Sequence, residues 1–199
     1  MSNYVARRYI AAMSTSSLLL ERLSALIQQA VRDDAARHGL LPIQLQVLHY
    51  LAQANRYSDL PIAIAEYFGI TRGTVSQTLA VLERRGLLIK QADPRHGKRI
   101  HLLLTDNARQ ILEHSWVQRL DSALHSLPTA EHTEAGLREL LSALQRLNGQ
   151  QAFGICQHCV HFCPDSHGHH CGLTGEPLES EQSQLICREW QAPAQSRET

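Results

Sequence analysis

Five cysteines carry the most reactive chemistry in this 199-residue chain, and all lie in its last quarter: Cys156, Cys159, Cys163, Cys171 and Cys187. Cys156-Gln157-His158-Cys159 is a thiolate pair at chelating spacing. One tight turn can present both sulfurs to a single ion while backbone N–H groups remain to hydrogen-bond them. A lone pair is a weak signal; three further cysteines within about thirty residues make it strong. Five of the twelve histidines, His158, His161, His167, His169 and His170, sit among them. Residues 152–190 have no apolar periodicity able to host ordinary buried thiols, so metal ligation is the expected chemistry. The metal itself stays open. Structural zinc favours two close ligand pairs and only one is present, although His158, His161, His169 or His170 can complete a Zn2+ site. Cys-x-x-Cys-x-x-x-Cys-Pro echoes the end of a ferredoxin run, and the wide remaining spacings suit an iron–sulfur cluster held by scattered loops, toward which the reading leans. His161 and His170 are placed to orient a ligand without binding the metal, and Cys163 is a possible substitute ligand.

A second asymmetry is basic. Lys+Arg and Asp+Glu both number 19, so the net charge is zero. Yet Arg72, Arg84, Arg85, Lys90, Arg95, Lys98 and Arg99 fall in one short stretch, opposed only by Glu83 and Asp93. A local field of this sign attracts a polyanion whatever the total charge.

The elements that must position these groups are mainly helical. Leu19, Leu20, Leu23, Leu26, Ile27 and Val31 repeat at helical spacing until Gly39. A second helix follows Pro42 with Leu45, Leu48 and Leu51 on one face. Asp59 before Pro61 reads as the cap of a short helix, Ile62 to Phe68, that ends at Gly69. Thr71 caps the next helix, which turns Val75, Leu79 and Leu82 inward and stops at Gly86. The period then changes: Leu87-Leu88-Ile89 and the alternating Ile100, Leu102 and Leu104 flank a turn over 92–98, which predicts a hairpin with a basic tip. Thr105 and Asp106 cap a long helix carrying Ile111, Leu112, Trp116, Leu120 and Leu124 up to Pro128. A last helix carries Leu137, Leu140, Leu141, Leu144 and Leu147. From Gln150 the chain reads as irregular and too poor in apolar residues to fold alone, so that a metal supplies the missing stability.

Helix, turn, helix, strand, basic turn and strand make a winged helix-turn-helix. The helix opening at Thr71 offers Thr71, Arg72, Gly73, Thr74, Ser76, Gln77 and Thr78 to a major groove: hydroxyls and amide for bases or phosphates, a guanidinium for guanine, a glycine for close approach. Arg95, Lys98 and Arg99 at the hairpin tip can reach phosphates or the minor groove. The broad Leu faces of the flanking helices have no partner inside so small a unit, which predicts a homodimer.

The order of motifs resembles the MarR family of bacterial transcriptional regulators over about Leu18 to Leu147. It is carried by Leu41-Pro42-Ile43-Gln44-Leu45, by Ile70-Thr71-Arg72-Gly73-Thr74-Val75-Ser76-Gln77-Thr78-Leu79, by Leu82-Glu83-Arg84-Arg85-Gly86-Leu87-Leu88, by Asp93-Pro94-Arg95 and by Leu104-Thr105. The wing tip departs from the family pattern, with His96 and Gly97 where Asp and Arg are frequent, and Lys98 where Arg is frequent. The resemblance implies a homodimer interlocked through its first and last two helices, two winged helices on a pseudo-palindromic double-stranded DNA operator, and repression more often than activation. The last segment resembles the cysteine-rich tails of some such regulators, which implies Cys156, Cys159, Cys171 and Cys187 as ligands and leaves Cys163 spare.

The expected architecture is thus mainly α with a small two-stranded β-wing, a dimeric MarR-like winged helix-turn-helix, plus a small irregular cysteine-rich metal-bound segment. Its parts are an N-terminal dimerisation region (1–40), the DNA-binding unit (41–104), C-terminal dimerisation helices (105–149), the cysteine-rich segment (150–190) and a disordered tail (191–199). The expected function is a regulator, not an enzyme, whose DNA affinity follows its metal centre through repacking of the last dimer helix. An alternative keeps zinc purely structural and places a small aromatic effector in the dimer crevice. A remote alternative is a metal-dependent enzyme, with Glu176 or Glu189 as base, or an electron-transfer protein; no phosphate loop or HExxH supports it. No apolar run reaches membrane-spanning length and the N-terminus lacks a signal-peptide core, so the expected compartment is the cytoplasm, where thiols stay reduced.

Overall fold

A computed structural model describes residues 13–94, 97, 99–165 and 168–193. Helix α1 (Thr15–Arg37) starts where the Ser14 hydroxyl accepts the Ser17 N–H, and it ends before Gly39, whose positive φ the turn requires. Helix α2 (Pro42–Gln53) has proline at its first position and buries Leu45, Val47, Leu48 and Tyr50. Helix α3 (Pro61–Phe68) begins the same way and ends at Gly69, which adopts the left-handed conformation; the Gly69 and Ile70 N–H groups both close onto the Ala65 carbonyl. That turn delivers α4 (Arg72–Arg84), capped by Thr71, whose hydroxyl accepts the Thr74 N–H at 3.1 Å.

Strands β1 (Leu88–Ala92) and β2 (Ile100–Leu104) form an antiparallel hairpin with Leu88 opposite Leu104 and Lys90 opposite Leu102. Leu88 and Leu102 turn inward and join Leu45, Leu48, Ile64, Val75, Leu79 and Leu82 in one core. The helix-turn-helix and the hairpin therefore share a hydrophobic base. That base holds α4 as a rigid ridge.

Three sequence expectations are corrected. Asp59 does not cap α3: Leu60 occupies the cap position without a side-chain bond, and the Asp59 carboxylate reaches His101 instead. The helix expected from Thr105 to Pro128 is two helices, α5 (Asp106–Leu112) and α6 (Trp116–His125). The break has a local cause. Ser115 opens a new capping box with Gln118, and the buried Asp34 carboxylate accepts the Trp116 N–H and pairs with Arg119. Helix α7 (Ala130–Leu147) follows and buries no side chain of its own.

The third correction concerns the cysteine-rich segment, which is not irregular. Strand β3 (Gly154–Ile155) pairs with β7 (Ile186–Cys187), while β4 (Phe162–Asp165), β5 (Gly168–Cys171) and β6 (Pro177–Leu178) form a three-stranded antiparallel sheet. A short helix α8 (Ser180–Ser183) joins β6 to β7. Nor does it stand alone: Phe153 is buried in the main core, and Ile186 bridges to Ala54 at the end of α2. Period-2 alternation is invisible in strands of two to four residues, which is why composition suggested a loop. Arg95, Lys98 and the end of the expected disordered tail, 194–199, lie outside the described residues.

Candidate nucleic-acid interface and thiol cluster

The first two turns of α4 sort their side chains by helical period. Val75, Thr78, Leu79 and Leu82 fall on the buried face; Arg72, Gly73, Thr74, Ser76 and Gln77 are exposed. Thr78 is thus removed from the recognition set, because it lies one turn beyond Val75 on the core side and is 6% exposed. Thr71 and Thr74 hydroxyls bond one another at 2.9 Å at the helix start. An added Cβ at Gly73 would meet only the Thr71 hydroxyl, at 3.7 Å, so the fold does not itself demand glycine there. A cleft of about 410 Å³ runs between α4 and the hairpin, lined by Arg72 and Ser76 on one wall and Lys90 and Ile100 on the other.

The basic stretch divides on folding. Arg85 is spent on the chain itself, donating to the carbonyls of Gly39 and His38 at 2.6 and 2.8 Å and locking α4 to the end of α1. Lys90 pairs with Glu83 at 2.6 Å, and Arg99 lies 3.9 Å from Asp93. Arg72 has no ion-pair partner among the described residues. The base of the hairpin is fixed by His101, whose Nδ1 is 2.7 Å from Asp59 and whose Nε2 is 3.2 Å from Asp93.

Two helices leave apolar faces open. Leu18, Leu19, Leu23 and Leu26 on α1, and Leu137, Leu141, Leu144 and Leu147 on α7, are all exposed. From Leu19 and from Leu137 onward they recur every three or four residues, with Leu18 beside Leu19, so each set forms one stripe along its helix.

In the tail, Cys156, Cys171 and Cys187 are buried with Leu178 and Trp190, and Cys159 packs against them. Cys163 is elsewhere: it lies against the His161 carbonyl and beside Gly172, where an added Cβ would come within 3.1 Å of its sulfur. The Cys156-x-x-Cys159 turn closes through the Cys159 N–H on the Cys156 carbonyl at 3.0 Å. Donors converge on the sulfurs. The Gln191 N–H points at Cys159 Sγ at 3.4 Å, and Asn55 and the Glu189 backbone lie beside Cys187. Asn55 Nδ2 is wholly buried beside Cys187 and has no hydrogen-bond partner. The Cys156 thiol, then Asn55 and the Glu189 N–H, draw the Cys187 thiol down to about 7 against the opposing effect of burial. Cys156 moves up, because it donates to Cys187 and is buried beside it.

Among the described residues no three His, Cys, Asp or Glu side chains form a ready cage for a single ion. His170 is bound to Asp165 at 3.0 Å, and the His161 ring carries a buried Nε2 without a partner. Glu176 accepts the Tyr57 hydroxyl at 2.9 Å and pairs with Arg56, and Glu189 pairs with Arg188, so both carboxylates are held by cations. Asn55, Ser58 and Trp190, which tie the tail to the body, gave no signal in the sequence; a polar run before Pro61 reads simply as a loop.

Residues 38–99 match the family model described as "MarR family". The fold is a winged helix-turn-helix of the kind seen in MarR-family proteins. A point mutant of S. aureus MepR is similar at 26% identity, covering 66% of this chain and 100% of that one, with a TM-score of 0.50. The S. aureus MepR–DNA complex is similar at 24% identity, covering 66% and 97%, with a TM-score of 0.54. The transcription regulator MarR from Oenococcus oeni is similar at 18% identity, covering 66% and 98%, with a TM-score of 0.54. No curated protein matches the chain. Among the described residues no helix is long and apolar enough to cross a membrane.

Proposed function

We propose that the protein is a sequence-specific, double-stranded-DNA-binding transcriptional regulator, not an enzyme, that acts as a homodimer on a pseudo-palindromic operator and represses. The observation that carries this reading is the exposed polar ridge of α4, with Arg72, Thr74, Ser76 and Gln77 outward over a shared core and the hairpin beside it. A MarR-family fold found in a protein–DNA complex is in keeping with it. The open Leu stripes of α1 and α7 supply the surface for a second copy, and twofold pairing places two ridges on half-sites one helical turn apart. Arg95, Lys98 and Arg99 are assigned to the phosphates flanking each half-site. The test is operator selection from random duplexes followed by affinity at several salt concentrations. A selected palindrome bound with a steep salt slope is the expected result; binding that salt does not weaken removes the reading.

The tail is assigned a metal centre held by Cys156, Cys159, Cys171 and Cys187, iron–sulfur in preference to Zn2+. Support comes from the gathering of these four thiols apart from Cys163, and from the Gln191 N–H that points at Cys159 Sγ at 3.4 Å. When bound, such a centre supplies a group labile to oxidation or metal loss. The chain's own part is to keep the sulfurs dry under Trp190 and to donate N–H groups to them, and DNA affinity follows the state of the thiols. Metal and sulfide analysis with a visible spectrum on anaerobically purified protein tests this: a brown protein is expected, stoichiometric Zn2+ without colour replaces the cluster with structural zinc, and neither metal removes the centre.

A second reading, in which a small aromatic effector tunes the protein, is favoured by one feature. A cavity of about 580 Å³ lies between α3, α7 and the tail, walled by Tyr67, Phe153, Trp190 and Leu141. That volume suits a small ring compound.

A further inference from the structure

We infer that the loop between α2 and α3, Asn55–Asp59, is the strut through which the thiol cluster sets the position of the wing. The thiol cluster is the tail's candidate metal centre, and the inference rests on that reading only for what perturbs the cluster. The last dimer helix, expected from sequence to carry the signal, is bypassed.

The loop is bonded on both sides. On the tail side, the Asn55 N–H donates to the Ile186 carbonyl at 3.0 Å, and its side-chain amide is buried beside Cys187, the next residue. The Arg188 N–H donates to the Ser58 hydroxyl at 2.9 Å, and that hydroxyl donates to Asn55 Oδ1 at 2.9 Å. Arg56 adds its N–H to Gln182 at 3.0 Å and its guanidinium to the Pro177 carbonyl at 2.9 Å. On the wing side, the Leu102 N–H donates to the Asp59 carbonyl at 2.9 Å, and the Asp59 carboxylate holds His101 at 2.7 Å. His101 and Leu102 are both in β2.

The loop between these attachments is stiff. The Ser58 and Asp59 N–H groups both return to the Asn55 carbonyl, at 2.8 and 3.1 Å, and Asn55 and Ser58 are 0% exposed. A buried turn hydrogen-bonded to elements on both sides has few alternative arrangements, so displacement at one end is passed on rather than absorbed. Asn55 gives the strut two states. Its side-chain N–H is buried beside Cys187 without a partner; as four sulfurs close on a metal or release it, the Cys187 sulfur moves toward that donor or away from it, and the turn shifts to pair it or leave it unpaired. β2 shifts with it. An element whose equilibrium both sites bias is the physical requirement for coupling.

The test is a double-mutant cycle on the full-length protein, read by amide hydrogen exchange of residues 88–104, the Leu102 N–H above all. Cys187→Ser perturbs the cluster end and His101→Gln the wing end. Each single change should speed wing exchange, and in the double variant the two factors should fall short of multiplying by about threefold or more, since independent distant sites multiply. Asn55→Asp repeats the cycle without touching a cysteine: it keeps the acceptor for Ser58 and Tyr57 but replaces the buried amide N–H beside Cys187. Factors that multiply, or a Cys187→Ser or Asn55→Asp protein whose wing exchanges as the wild type does, overturn the strut. The exchange needs neither metal nor operator. Failure of the strut is therefore distinguishable from absence of a metal, read by metal analysis, and from absence of DNA binding, read by salt-dependent affinity.

Discussion

Arg188, next to the last cysteine, donates through Nε and one Nη to the two carboxylate oxygens of Glu66 on α3, both at 3.0 Å. This fork fixes the tail to the helix that precedes the recognition helix. Both side chains are about one-quarter exposed, so solvent weakens the pair without dissolving it. Planar bidentate geometry is what lysine cannot reproduce. Glu66→Gln should therefore cost about 1 kcal/mol in urea unfolding, and Arg188→Lys a similar amount. Both should raise hydrogen exchange in the tail before they affect α1.

Stability should depend on pH through His101. Burial works against its charged form, but the hydrogen bonds and charges of Asp59 and Asp93 outweigh it and raise the group above its usual value. A histidine raised on folding stabilises fully below its unfolded value of about 6.5, and that contribution is lost as pH rises through the folded value. His49 and His158 are both lowered, His49 chiefly by burial despite Asp34, and they act in the opposite sense. The difference between wild type and His101→Gln isolates the effect. The wild-type advantage in urea unfolding should be largest below pH 6.5 and shrink as pH rises above it; an advantage constant with pH refutes the assignment.

The recognition face should separate Arg72 from Thr78. Arg72→Ala should weaken operator binding by about 1–3 kcal/mol and relax selectivity at one position if the guanidinium forks a guanine. Thr78→Val, on the core side of the same helix, should leave the selected sequence unchanged. Repeating the operator selection with each variant reads both outcomes.

The Leu stripes predict the assembly. Leu141→Glu with Leu144→Glu places two charges on the open face of α7 without touching the winged-helix core. Sedimentation should show a dimer for the wild type and a monomer for the variant. Circular dichroism should stay helical, and operator affinity should fall by more than tenfold as the second half-site is lost.

Helices α1 to α4, the turn at Gly69, the Thr71 cap and the hairpin were all legible in the order of residues. Each is set by short-range rules: a hydroxyl at a helix start, glycine at a positive φ, and periods of 3.6 or 2. The inward face Val75, Leu79 and Leu82 was legible for the same reason. Assigning Thr78 to the outward face was not, because a hydroxyl suits either side and only the angular position on α4 decides. The join between α5 and α6 was likewise invisible, since Asp34 acts on Trp116 from 82 residues away.

The residues alone determined that five cysteines crowd one end and that a helix with a polar start stands beside a basic hairpin. Chemistry of that kind follows from composition and local spacing. Tertiary structure decided which thiols meet, that Cys163 stands apart, and that the tail rests on the loop at Asn55–Asp59 rather than trailing from α7. Those outcomes depend on contacts between positions more than a hundred apart in the chain, such as Arg56 with Gln182 and Ser58 with Arg188. No local period encodes such contacts; they form only when the packed core has brought the two segments together.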